Sequence, residues 1–375
     1  MIRRMRDFIQ EHMRNLKKYI ARKIWDKKNT IYDLKLDKDN FITNNGIKSI
    51  LIMRDDGKIG DMVVNTFVFR EIKKKYPDIK IGVVTRKVAK EIIRYNSNID
   101  NIYEYKKNFN YLKKLGKKIE IEKYDLLVDF SLELREHQIM FINKCKCRIN
   151  MGIDKKNWNL FDISINDIKN EHITKRFCSV LEFLGVNNID TSYEITIPNH
   201  IKNKIEYEIR NDYPIAILNP FAASKHRSFN METIKNILDL MLTYTKCNIY
   251  IIGESKYSCY IEEIVKKYGK KRVIYLRLNN ILEVAFLIKK SQLVITPDTS
   301  IVHIASAFKV RQIDIYRQDN NDNNSVLWGP NSIFATQIFT NGIEVTENEE
   351  DINNFEIKEV ERILFEYGKE KSIIL

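Results

Sequence analysis

Residues 48–75 read KSILIMRDDGKIGDMVVNTFVFREIKKK and contain three kinds of pattern in sequence. KSILIM (48–53) is a short, nearly all-apolar run, the mark of a strand buried on both faces. RDDGKIGD (54–61) is polar and turns at two glycines. From Asp61 to Lys75, Met62, Val63, Thr66, Phe69 and Ile72 fall at helical spacing, and Tyr76-Pro77-Asp78 stops the run. A second apolar strand, IKIGVVT (79–85), follows at once. Strand, loop, helix and strand in that order predict parallel strands joined by a right-handed crossover.

The same alternation extends in both directions. A helix is expected over 87–95, strands over 102–105, 124–130 and 148–151, and a lysine-rich helix over 108–121. A helix then closes at Gly185. Residues 186–213 are polar and contain Pro198, and a fresh series starts at YPIAIL (213–218). Strands at 247–252, 273–276, 293–296 and 312–316 alternate with helices at 230–243, 258–268, 281–290 and 301–308. The chain therefore reads as α/β, with two doubly wound Rossmann-like domains facing a central cleft. Ligands of such sheets bind beyond the carboxyl ends of the strands.

Six segments are expected: a basic helix (1–28), a connector (29–47), a first Rossmann-like domain (48–196) and a linker (197–213). A second Rossmann-like domain (214–345) follows, then a C-terminal helix (346–375) expected to pack back on the first domain.

The charge of +13 is unevenly placed. Residues 1–28 hold ten Lys/Arg and three Asp/Glu, so the other 347 residues carry only +6. The body is therefore not a polybasic nucleic-acid binder. In the arm, Met5, Phe8, Ile9, Met13, Leu16, Ile20 and Ile24 recur every three or four residues, with Arg and Lys elsewhere. Such a helix suits an anionic membrane surface, and the alternative is an apolar stripe docked on its own domain. No window approaches a membrane span, and no apolar segment or cleavage site of a secretory signal follows Arg3, Arg4 and Arg6. Five cysteines at irregular spacing (Cys145, Cys147, Cys178, Cys247 and Cys259) read as reduced thiols of a cytosolic protein.

Three strand-to-helix loops could carry chemistry. In the first, Arg54, Asp56, Gly57, Lys58 and Gly60 precede Asp61, which reads either as a functional carboxylate or as a helix N-cap. In the second, NPFAASKHR (219–227), Ser224, Lys225 and Arg227 suit a phosphate or diphosphate, or form a basic surface loop. In the third, TPDTSIVH (296–303), Asp298, Thr299 and Ser300 open a helix whose amides can also grip a diphosphate. His303 there reads alternatively as a buried, hydrogen-bonded structural histidine. There is no GxGxxG, Walker loop, GxSxG or HExxH pattern, which removes most of the case for nicotinamide, P-loop, serine-hydrolase and zinc-protease chemistry.

Taken in order, ILIMRDDGKIGD, NPFAASKHRSF and DTSIVH resemble the loops of glycosyltransferase family 9, the bacterial heptosyltransferases of lipopolysaccharide assembly. The resemblance runs from about Lys48 to about Pro330. It implies a GT-B fold, with the acceptor bound by the first domain (48–196) and the nucleotide sugar by the second (214–345), and an inverting, metal-independent transfer with no cofactor, from a nucleotide sugar such as ADP-heptose. The acceptor would be lipopolysaccharide or a related glycolipid on the cytoplasmic face of the inner membrane. Asp61 matches the general base, and Lys225 the phosphate-binding cation with Ser224 and Arg227 beside it. Asp298, Thr299, Ser300 and His303 match the diphosphate loop, and Glu254 lies near the donor ribose contact. Helix-start amides are expected to lower the pKa of Asp61 and weaken it as a base. Ser300 replaces the family's usual glycine, and ESKYSCY (254–260) lacks the usual acidic pair. Other readings are a different donor, a capsule, O-antigen or protein acceptor, or a non-catalytic nucleotide-sugar binder.

Overall fold

Each half of the chain is built on a sheet of six parallel strands, and the two sheets share one strand order. This computed structural model describes all residues except 1, 29, 31, 270, 319–323, 343–350 and 370–375. The first half runs α1 (Ile2–Trp25), α2 (Phe41–Asn44), β1 (Ser49–Arg54), α3 (Ile59–Lys75), β2 (Lys80–Thr85), α4 (Lys87–Ile93) and β3 (Asn101–Glu104). It continues with α5 (Phe109–Glu122), β4 (Leu126–Asp129), α6 (Glu136–Cys145), β5 (Ile149–Ile153), β6 (Ile163–Ile165) and α7 (Ile173–Phe183). The second half runs α8 (Asn199–Glu208), β7 (Ile215–Leu218), α9 (Met231–Tyr244), β8 (Asn248–Ile251), α10 (Ser258–Lys267), β9 (Val273–Tyr275) and α11 (Ile281–Lys290). It ends with β10 (Ser291–Pro297), α12 (Ser300–Ala307), β11 (Arg311–Tyr316), α13 (Asn324–Leu327), β12 (Ala335–Phe339) and α14 (Ile357–Lys369).

The orders are β3-β2-β1-β4-β5-β6 and β12-β11-β10-β7-β8-β9. Counted within each half, both read 3-2-1-4-5-6, so the order reverses beside β1 and β4 in one sheet and beside β7 and β10 in the other. The crevice of a doubly wound sheet opens at that reversal, outside the carboxyl ends of the strands. Residues 54–61 leave β1, residues 219–227 leave β7, and residues 297–303 leave β10. All three candidate loops therefore stand where the topology puts a ligand.

The strands are nearly all apolar because they are covered on both faces; every residue of β1 is buried. The two halves also share a core. Met62, Val63 and Phe67 of α3 belong to the same apolar cluster as Ile301, Ile304 and Ala305 of α12. Helices α3 and α12 pack directly on one another, and α11 packs on α4 and α8.

Four expectations need correction. The polar linker 197–213 contains α8, whose Ile201 and Ile205 are buried and whose partner α11 makes it part of the second half. Polar residues on its solvent side hid its apolar face. The connector 29–47 contains α2, with Phe41 and Ile42 buried in the first half. The C-terminal helix α14 packs on α9 of the second half, not on the first domain. Its Val360, Ile363, Leu364 and Tyr367 enter the second-half core, and Tyr244 Oη donates to Glu361 at 2.6 Å. Sequence reading also missed α6, β6 and β12. The expected boundary at 345/346 lies outside the described residues.

Helix α1 lies within the basic arm. Its last turns are fixed to the first half: Ala21 and Asp26 are buried, and Asp26 Oδ1 accepts the Leu160 amide at 2.9 Å. Met5, Phe8, Ile9, Met13, Leu16, Ile20 and Ile24 all remain exposed, so the apolar stripe is not docked on its own domain.

Leu364→Ala leaves a cavity between α14 and the second sheet, so it is expected to lower unfolding free energy by about 2–4 kcal/mol. Denaturant unfolding of the purified variant measures this; a change of a few tenths would place α14 outside the core.

Candidate active site

The first loop is organised by Arg54, the last residue of β1. Its guanidinium lies over the Phe177 ring, 5.5 Å from the centroid, and the side chain is buried. From there it reaches Asp56 Oδ2 at 3.1 Å and Asp61 Oδ2 at 3.4 Å. Asp56 Oδ1 accepts the Lys58 amide at 3.0 Å and shapes the turn. Gly57 follows with φ of +76°, and a Cβ there would lie 2.6 Å from Arg86 Cδ. Glycine is required at this point by both conformation and space.

Asp61 lies in the first turn of α3, but it is not the N-cap; Lys58 holds that position without a side-chain cap bond. Its carboxyl pKa is pushed up to about 6, opposite to the sequence expectation. Burial is the dominant cause, and the opposing cation of Arg54 does not overcome it. A carboxylate so placed titrates near neutrality, where a general base works best.

In the second half, Asn219 ties the two reversal strands together. Its Nδ2 donates to Thr296 Oγ1 at 2.8 Å and Thr299 Oγ1 at 3.2 Å. Thr299, not Asp298, is the N-cap of α12, accepting the Ile301 amide. Arg227 does not stand free for a phosphate: its Nη2 donates to Asp298 Oδ2 at 2.5 Å and to the Asp298 carbonyl at 2.8 Å. Asp298 also accepts from Asn324 Nδ2 at 3.2 Å. This carboxylate therefore anchors the Arg227 turn. Ser224 precedes that turn and Lys225 opens it; Lys225 is exposed and makes no ion pair among the described residues. Glu254 is exposed and paired with Lys256 at 3.0 Å. Beside it, the rings of Phe221 and Tyr257 stack, 3.9 Å apart and 5° from parallel.

The first and third loops meet between the two halves. A Cβ built on Gly60 would lie 2.7 Å from His303 Cδ2 and 3.5 Å from Ser300 Cα. Gly60 therefore has no side chain because His303 occupies that space, and its neighbour Asp61 is held near the start of α12. His303 is buried, with Tyr193 and Trp328 edge-on at 6.2 and 6.4 Å. Burial pushes its pKa down to about 3, so the imidazole is neutral and serves packing between the halves. Its Nδ1 is buried without a hydrogen-bond partner among the described residues, so the hydrogen bond expected of a structural histidine is not formed.

Sequence reading missed a second layer behind the first loop. Asp55 is buried, accepts from Gln138 Nε2 at 2.8 Å, and has its pKa pushed up to about 6, chiefly by burial. Asp129, at the end of β4, faces Lys155 Nζ at 3.8 Å. That lysine is wholly buried and donates to the carbonyls of Ser131, Leu132 (3.0 Å) and Ile153 (2.8 Å). Arg86, Lys107 and Arg135 stand close enough that the two arginines help lower the lysine's pKa, after burial. The signal for this layer was available: Arg86, Lys107 and Asp129 follow or end β2, β3 and β4. Among the described residues, no three His, Cys, Asp or Glu side chains cluster to hold a metal ion.

Two doubly wound domains, joined through α3 and α12 with a largely buried carboxylate and a cationic loop at the reversal points, have the architecture of two-domain glycosyltransferases. Residues 112–350 match the sequence profile of glycosyltransferase family 9 (heptosyltransferase), well over half of the chain, and the chain belongs to that family. It is 26% identical over 302 residues to the protein named as the fourth lipopolysaccharide heptosyltransferase of Escherichia coli K12, covering 78% of this chain and 81% of that one. It is 20% identical over 278 residues to the lipopolysaccharide core heptosyltransferase OpsX of Haemophilus influenzae, covering 73% and 80%. Among solved structures, it resembles a family 9 glycosyltransferase of Veillonella parvula, with a TM-score of 0.69, 17% identity and coverage of 87% and 97%. ADP-heptose lipopolysaccharide heptosyltransferase II of E. coli gives 0.68, 13%, and coverage of 86% and 99%. The fold is thus GT-B, and the protein is a glycosyltransferase.

Asp61→Asn tests the burial of the carboxylate. The folded protein holds this proton up to about pH 6, whereas an ordinary carboxyl loses it near 3.8. Ionisation therefore costs stability as pH rises through 6. The Asn variant is expected to unfold at higher temperature than the parent at pH 8, with a much smaller difference at pH 4. An equal shift at both pH values would mean that Asp61 titrates normally.

Proposed function

We propose that the protein is an inverting, metal-independent heptosyltransferase that moves heptose from ADP-L-glycero-D-manno-heptose to the inner core of lipopolysaccharide. The observation that carries this reading is the placement of Asp61, with a pKa near 6, against the start of α12 through the Gly60–His303 contact. Asp61 takes the proton of the acceptor hydroxyl as its oxygen bonds to the anomeric carbon. The bond from that carbon to the diphosphate oxygen breaks on the opposite face, and ADP leaves. Lys225, Ser224 and the opening turn of α12 carry the developing negative charge. Arg227 acts through its pair with Asp298, keeping the loop that bears Lys225 beside α12. A related E. coli heptosyltransferase, WaaC, has been solved with ADP, which supports ADP as the nucleotide; that structure is 13% identical with a TM-score of 0.65.

The acceptor side is the end of the first sheet. Arg86, Lys107 and Arg135 gather there and suit an anionic sugar. A membrane-borne acceptor also fits the exposed apolar stripe and basic face of α1, which would hold the enzyme on the cytoplasmic face of the inner membrane. No helix among the described residues is long and apolar enough to cross a membrane. One observation favours a different donor within the same reaction type. Glu254, expected at the ribose, is exposed and paired with Lys256.

The test is a calorimetric panel of ADP, UDP, GDP and CMP, with and without divalent metal. Selective, metal-independent ADP binding is expected, and preference for UDP or GDP would replace the donor. Asp61→Ala is expected to lower turnover by about 10²–10⁴-fold while sparing ADP binding. In the parent, kcat/KM should fall on the acid side with a midpoint near pH 6. Lys225→Ala should weaken ADP binding by about tenfold or more, the loss of one charged hydrogen bond. Near-normal values in both variants would remove these residues from the mechanism.

A further inference from the structure

Residues 106–118, KKNFNYLKKLGKK, contain six lysines and no acid, and the reaction described above uses only Lys107. Of the others, Lys106 pairs with Glu104 and Lys118 lies over the Tyr103 ring, whereas Lys113, Lys114 and Lys117 serve no such contact among the described residues. Helix α5 buries Leu112, Leu115, Gly116 and Ile119 against α6, and a Cβ on Gly116 would lie 2.6 Å from Lys144 Cβ. Lys113, Lys114 and Lys117 point away from that seam; they are exposed and make no ion pair among the described residues. The cations lie in the second and third turns of α5, where Lys113 and Lys117, and Lys114 and Lys118, are like charges four residues apart. An isolated helix is weakened by such pairs, and a negatively charged surface would offset it.

The face is not an isolated charge run. Exposed apolar side chains flank it, Phe109 at its start and Ile121 at its end. It also joins α1. Helix α6 packs on both α5 and α1, and the ring of Phe109 lies 6.0 Å from that of Trp25 in the last turn of α1. The fixed end of the amphipathic helix thus meets the beginning of the lysine face.

We propose that the outer face of α5, with Lys113, Lys114 and Lys117 beside exposed Phe109, is a second contact for an anionic lipid bilayer, continuous with α1. The proposal extends the membrane reading of α1 and is independent of the donor sugar. Lysines supply attraction to lipid phosphates, and Phe109 supplies an apolar group at the level of the headgroups. With two contacts in place of one, the bilayer meets a surface rather than a single projecting helix. The first half is then held at a defined tilt with the end of its sheet toward the membrane-borne sugar.

The experiment is sedimentation of the full chain with vesicles of phosphatidylcholine alone or mixed with phosphatidylglycerol, at low and physiological salt. Four proteins are compared: the parent, the triple variant Lys113→Glu/Lys114→Glu/Lys117→Glu, a chain lacking residues 1–16, and the two changes combined. Removing only 1–16 leaves the fixed end of α1 in place. The triple variant should partition onto anionic vesicles at least about tenfold less than the parent, given the strength of each basic contact. The shortened chain should keep residual, salt-sensitive binding, and the combined variant should lose it.

Parent-like partitioning of the triple variant would overturn the proposal, as would tighter binding of the parent to duplex DNA than to anionic vesicles at matched salt. Thermal unfolding verifies the fold; if the glutamates unfold it, the triple Gln variant is used, with the same loss expected. ADP binding is measured on each protein. Absence of ADP binding by the parent would count against the donor reading while leaving the vesicle result standing.

Discussion

Gly60 is the point on which the arrangement depends. A side chain of even one carbon there would collide with His303, so its absence lets α3 and α12 pack across the two halves. That contact sets the position of Asp61 relative to the loops that leave β7 and β10. It also requires His303 to be uncharged. A protonated imidazole could not be buried between Tyr193, Trp328 and a glycine without a partner, and its depressed pKa avoids that cost.

Around this contact, most charges already have structural partners. Arg227 is held by Asp298, and Lys155 fills a nest of three carbonyls beside Asp129. Arg54 divides its guanidinium between Asp56 and Asp61. Asp61 shares its nearest cation with Asp56 and is largely removed from water, so its affinity for a proton stays high, as it does at Asp55. Lys225 differs in being exposed and without an ion pair among the described residues. A carboxylate of raised pKa and an available cation on opposite halves are the two groups on which the proposed displacement rests.

Much of this was legible in the sequence. Short apolar runs such as 48–53 and 247–252 marked the buried parallel strands, and the three loops between strand and helix marked the reversal points. Elements with weak apolar contrast escaped: α8 shows mostly polar residues, and α6 is buried nearly all round, which removes the periodic signal. Long-range partners escaped as well. That Arg227 would meet Asp298, 71 residues away, and that His303 would meet Gly60 depend on how two separate loops approach each other, which spacing within either loop does not contain. The pKa of Asp61 was misjudged for a related reason. The helix start is a local feature, whereas burial is supplied by the rest of the molecule.

The shared core has a consequence for how the protein loses its structure. One continuous apolar cluster contains Phe67 and Phe177 from the first half and Phe286, Leu287 and Ile304 from the second. Melting one half would strip that cluster of its covering and expose it to water. The halves are therefore thermodynamically coupled into one cooperative unit rather than two beads on a string. Damage to the first half would be felt as lost stability in the second, and evolution cannot adjust one half without regard to the other.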